Sequence, residues 1–142
     1  MATGKKGEIN TFLPAQVTRI SKGVGSFVNL YFEIDPNIEG HIWIYLCDWV
    51  LMDGQSEIEN STTIRDDSKL RTFFTGERLL RVDTLGPKAA LILTGEKRLE
   101  IQANRQEYGD DDMLITYIPG HPPAGYGPAA GTTNEYGWNV DA

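Results

Sequence analysis

Thirteen consecutive residues, 41–53 (HIWIYLCDWVLMD), place bulky apolar side chains at odd and even positions alike. Read as a strand, the stretch puts Trp43, Tyr45, Cys47, Trp49 and Leu51 on one face. Ile42, Ile44, Leu46, Val50 and Met52 fall on the other. A strand apolar on both faces belongs inside a sheet covered on both sides, or passes from one packed layer to another. Drawn out straight it would run to about 40 Å, long for one small domain, so it has to bend. Asp48, the single polar interruption, is the expected corner or bulge. There its carboxylate either accepts hydrogen bonds at the kink or belongs to a site that other titratable groups complete.

The rest of the chain reads as strands around this spine. Residues 27–34 alternate, with Val28, Leu30, Phe32 and Ile34 set against Asn29, Tyr31 and Glu33. Asp35, Pro36, Asn37 and Gly40 supply a turn, which predicts an antiparallel hairpin with a loop of several residues. Further strands are expected at 12–20, 78–85, 89–93, 98–104 and 113–118, with a short edge strand within 56–63. Leu70, Phe73 and Phe74 share one face of a short helix that Asp67 can cap and Gly76 can end. The predicted fold is mainly β, a sandwich or strongly bent antiparallel sheet, with one short helix packed on it. Residues 1–10 read as a loose arm and 11–118 as one β-rich domain. Residues 119–142 read as a Gly/Pro-rich tail, flexible or draped on the surface, whose Tyr126, Tyr136 and Trp138 could dock on this domain or on another copy.

Charge narrows the function. Thirteen Lys and Arg against twenty Asp and Glu leave a net charge of −7. That disfavours nucleic acid, which needs a basic face, and suits solubility or a basic partner. No apolar run approaches the length of a membrane helix and the first residues lack a signal core, so the expectation is a soluble cytoplasmic protein. A single cysteine, Cys47, excludes an internal disulfide and a cysteine zinc cage.

No catalytic or cofactor motif is present. Gly23-Val-Gly25 lacks the third glycine of a dinucleotide loop, and neither a Walker lysine nor a Gly-x-Ser-x-Gly elbow occurs. His41 and His121, the only histidines, lie eighty residues apart without metal-ligand spacing and read as surface or capping residues. Cys47, between Leu46 and Asp48, reads as a core thiol. The densest acidic run is Asp110, Asp111 and Asp112, preceded by Glu107 and Tyr108. It lacks the alternating ligands of a calcium loop and reads as a solvated loop, or as a partner-binding patch to which Asp66 and Asp67 contribute.

The order of these pieces, with the Trp-rich strand 42–51, the turn Asp53-Gly54, the helix 70–74 and the paired strands 79–82 and 91–101, resembles small bacterial immunity proteins of polymorphic toxins. The resemblance implies a non-enzymatic module that binds and blocks a basic cognate toxin. The alternative expectation is an assembly module that self-associates through strand edges and its tail. A third, an enzyme built around Asp48 and His41, requires those two side chains to meet in one cleft.

Overall fold

The structure, a computed structural model, describes residues 9–85, 87–109 and 111–128. Among the described residues ten strands form one antiparallel sheet: β1 (Ala15–Lys22), β2 (Val28–Asp35), β3 (Ile38–Ile44), β4 (Asp48–Asp53), β5 (Ser56–Asn60), β6 (Arg78–Leu85), β7 (Lys88–Leu93), β8 (Lys97–Gln102), β9 (Leu114–Tyr117) and β10 (Ala124–Tyr126). Their order across the sheet is β10-β9-β3-β2-β1-β6-β7-β8-β4-β5. Helix α1 (Ser68–Phe74) packs on β1, and α2 (Arg105–Tyr108) is a single turn. The mainly β architecture with one short helix packed on it matches the sequence expectation.

The sheet bends at β1. That strand pairs with β2 along Arg19 to Lys22, but with β6 at only two positions, Ala15 opposite Leu79 and Gln16 opposite Arg78. Farther along β6, the Asn10 side chain stands in for a strand, donating to the Val82 carbonyl at 2.9 Å and accepting from its N–H at 2.7 Å. The two halves then close on a shared core. The Trp49 indole N–H of β4 donates to the Ser26 carbonyl in the β1–β2 turn at 2.8 Å.

The spine is two strands. It breaks at 45–47, where Tyr45 N–H donates to Met113 O at 2.8 Å and Cys47 N–H turns back to Tyr45 O at 3.1 Å. Before the break the even residues Ile42 and Ile44 are buried; after it the odd residues Cys47, Trp49 and Leu51 are. This change of inward parity is why the sequence is apolar at both. Neither segment is covered on both faces; of the two expectations it is the passage from one packed part of the sheet to another that the structure shows. The corner also precedes Asp48, which opens β4 opposite Gln102 on the outward parity, its carboxylate accepting from Asn104 Nδ2 at 3.2 Å.

Other departures are local. The β2–β3 connection is Pro36-Asn37, tighter than expected, because Asn37 adopts a φ of 69° that asparagine tolerates. Of the expected arm, Ile9 is buried and Asn10 is tied to β6, while 1–8 lie outside the described residues. The polar run 105–112 contains α2, started by Asn104 Oδ1 accepting from Glu107 N at 3.1 Å. Of the tail, 124–126 rejoins the sheet as β10 with Tyr126 fully buried, whereas Tyr136 and Trp138 lie outside the described residues. Leu70, Phe73 and Phe74 are buried on α1 as expected, but Asp67 makes no capping bond; Asp66 accepts from Ser68 N instead.

In the β7–β8 turn both Gly95 (φ 70°) and Glu96 (φ 65°) are left-handed. Glycine adopts that region freely; glutamate does so at a cost of about 1 kcal/mol. Glu96→Asn is expected to raise the unfolding free energy by about 0.5–1 kcal/mol, shifting the thermal midpoint upward by a few degrees. An unchanged or lowered midpoint would contradict this account of the turn.

Candidate functional site: an aromatic sheet face

On the outer face of the half formed by β1, β2, β3, β9 and β10, the pleat and the register set side chains in rows. Arg19, Tyr31, His41 and Tyr117 are consecutive cross-strand neighbours. They form one stack. The Arg19 guanidinium lies 3.7 Å from the Tyr31 ring centre. Tyr31 and His41 are parallel at 4.3 Å, and His41 and Tyr117 follow at 5.3 Å. One row on, Trp43 lies opposite Asn29 and Ile115, and its ring meets Phe27 at 5.7 Å and Tyr45 at 4.3 Å.

Stacking of this kind fixes what the face offers. The facing surfaces of Tyr31 and His41 are taken up by each other, so those two rings turn their edges outward. Sugars and nucleobases bind on open ring faces, whereas a protein surface packs on rigid edges and fills the spaces between them. Two such spaces flank the stack. One, of about 480 Å³, is lined by Gly23, Val24, Phe27, Asn29, His41, Trp43 and Tyr117. The other, of about 330 Å³, lies between the stack and the 118–121 turn and has Glu39 and His121 at its margin.

The charges on this face are closely held. Thr18 Oγ1 donates to Glu39 at 2.6 Å and Arg19 Nη2 approaches it at 3.2 Å, and together they keep its carboxyl below the usual range. His41 Nε2 lies 2.8 Å from Asn29 Oδ1. Burial first, and then the Arg19 charge, depress its pKa, so the imidazole is neutral at pH 7.

The residues singled out in the sequence fall elsewhere. Asp66 is occupied by Ser68, and Asp67 by Arg71 at 2.6 Å, both beside α1 on β1. Glu107 and Tyr108 belong to α2, where burial and Glu107 push the Tyr108 phenol up. Asp111 is exposed, Asp112 is half-buried with its carboxylate against Gly125, and Asp110 lies outside the described residues. Cys47 is buried, its thiol pushed up to about 12 by burial and then by Asp48, which leaves no nucleophile at neutral pH.

Asp48 and His41 do not meet. Asp48 lines a separate hollow of about 490 Å³ on the other half, over Val50 and Ala90, whose carboxylates Asp83 and Glu100 pair with Arg81 and Arg98. Among the described residues no three His, Cys, Asp or Glu side chains are grouped so as to hold a metal ion. No helix among them is long and apolar enough to cross a membrane.

Sequence reasoning passed over the aromatic face. The alternation in β2 does put Tyr31 on the outward parity and the β2–β3 hairpin sets His41 beside it, but bringing Tyr117 to them depends on β3–β9 pairing across more than seventy residues of chain. Comparison with protein-family models, with curated proteins and with solved structures finds no match to this chain.

Proposed function

We propose that the chain is a non-enzymatic protein-binding module, an immunity-type inhibitor of a basic toxin, and that it grips its partner with the aromatic face of β1, β2, β3 and β9. One observation carries the reading. Tyr31, His41, Trp43 and Tyr117, with Phe27 and Tyr45 beside them, stand half-buried on one sheet face, with a hollow on either side of the stack. Tyrosine, tryptophan and arginine supply most hot spots at protein interfaces, because they bring large contact area at small entropic cost. The net charge of −7 favours encounter with a basic protein. Self-assembly through the β5 edge is less favoured, since Glu57 and Glu59 put charge on that strand.

The test is neutralisation. A basic protein that co-purifies at one-to-one stoichiometry from the native host should be toxic alone and silenced by this chain. Trp43→Ala should weaken that complex by about 2 kcal/mol or more, at least about thirtyfold, while amide dispersion shows the variant still folded. Undiminished binding by the variant would remove the face as the contact surface, and a co-purifying protein without toxicity would remove the inhibitor reading.

A further inference from the structure

The stack on the aromatic face already contains a bound cation. Arg19 lies over one ring surface of Tyr31 while its Nη2 reaches Glu39, so an aromatic face and a carboxylate together hold a guanidinium at the β1 end. The β9 end shares that carboxylate, Glu39, and has a ring of its own, Tyr117, with no cation over it among the described residues. Tyr117 closes the stack there, and the hollow beside it is lined by Tyr31, Glu39, His41 and the 118–121 turn.

The local charge has the matching sign. Glu33 lies directly opposite Glu39 across β2 and β3 on the outer parity, a like-charge pair of a kind that costs stability in a sheet. Arg19 is the only cation paired with either of them among the described residues, and Glu33 is exposed. His41 adds no positive charge at neutral pH.

We infer that the hollow between Tyr117, His41 and Glu39 receives a lysine or arginine side chain from a basic protein partner, with the Tyr117 ring and the Glu33–Glu39 pair as its counterparts. The inference rests on the proposed binding role and names the part of the partner that the face selects. Cation–π attraction and a nearby carboxylate act together here, since both favour the same positive charge. The other hollow, beside Trp43, has no carboxylate among its lining residues and fits an apolar side chain.

The experiment titrates hexa-arginine, hexa-lysine and hexa-glutamate peptides into the full chain at about 50 mM salt, following ring and backbone resonances by NMR. The cationic peptides should saturate, with shifts concentrated at Tyr117, His41 and Gly120, and hexa-glutamate should produce none. Tyr117→Leu should weaken the hexa-arginine complex about tenfold and Glu33→Gln about threefold, whereas Glu57→Gln on β5 changes it less than about twofold. Glu33 is exposed, so its variant reports even where Tyr117→Leu perturbs folding. Shifts scattered over the acidic surface, equal weakening by Glu57→Gln, or a response to hexa-glutamate would each overturn the inference. A neutralised toxin whose affinity survives Glu33→Gln and Tyr117→Leu would overturn this site alone, leaving the broader binding role in place.

Discussion

Trp49→Ala is expected to leave the chain largely unfolded at 37 °C. The side chain is 1% exposed, and its indole N–H reaches across the core to the Ser26 carbonyl at 2.8 Å, linking the two halves of the sheet. Truncation removes about 3–5 kcal/mol of packing and leaves a carbonyl without its donor, a further loss of about 1–3 kcal/mol. Domains of this size have about 5–15 kcal/mol in total. Trp49→Phe separates the two contributions, since it keeps most of the packing and loses the hydrogen bond, for a smaller loss of about 2 kcal/mol. Denaturant midpoints and amide dispersion measure both variants. If Trp49→Ala unfolds within about 1 kcal/mol of the wild type, the two halves do not depend on this side chain.

Alkali should unfold the protein through two buried acids. Burial, with Asp48 adding to it, pushes the Cys47 thiol up from 9.0 to about 12, and burial pushes the Tyr126 phenol up from 10.0 to about 12. The unfolded chain therefore releases both protons at a lower pH than the folded chain does. Stability from these groups is complete below about pH 9 and falls as pH rises toward 12. The loss by then is about 4 kcal/mol from the thiol and about 3 kcal/mol from the phenol. Unfolding midpoints measured from pH 7 to 11.5 should stay level at first and then drop steeply. Cys47→Ala should start lower, because of the cavity it leaves, and then follow a visibly shallower slope. Tyr126→Phe should flatten the remainder. A slope identical in wild type and both variants would show that other groups govern the alkaline transition.

How much could be read beforehand follows from how far apart in the chain the partners lie. The β6, β7 and β8 meander was legible because the turn-forming pairs Gly86-Pro87 and Gly95-Glu96 separate, in the sequence, short runs that pair with their immediate neighbours. The apolar face of α1 was legible from the spacing of Leu70, Phe73 and Phe74. Strand β10 was hidden, because Ala124 and Gly125 disfavour strands, Tyr126 stands alone in a Gly/Pro-rich run, and the three owe their order to Leu114, Ile115 and Thr116. The aromatic stack was hidden for a related reason. Tyr31, His41 and Tyr117 each look ordinary in their own segment, and only β2–β3–β9 register makes them neighbours. Charge density drew attention to 107–112 and 66–67, yet Asp66 and Asp67 bond within their own turn, and such local bonds cannot be seen in a count of carboxylates.

The break at 45–47 has an evolutionary corollary. It works as a frame shift in the pleat, so the two arms of the 41–53 segment are phased against each other by one residue. With the bend kept in place, removing or adding one residue there would slide β4 by one position, turning Asp48, Val50 and Met52 toward the interior and casting Trp49 and Leu51 into water. Length changes should therefore be purged from this corner, and any descendant that lengthens or shortens it must have rebuilt half of its interior.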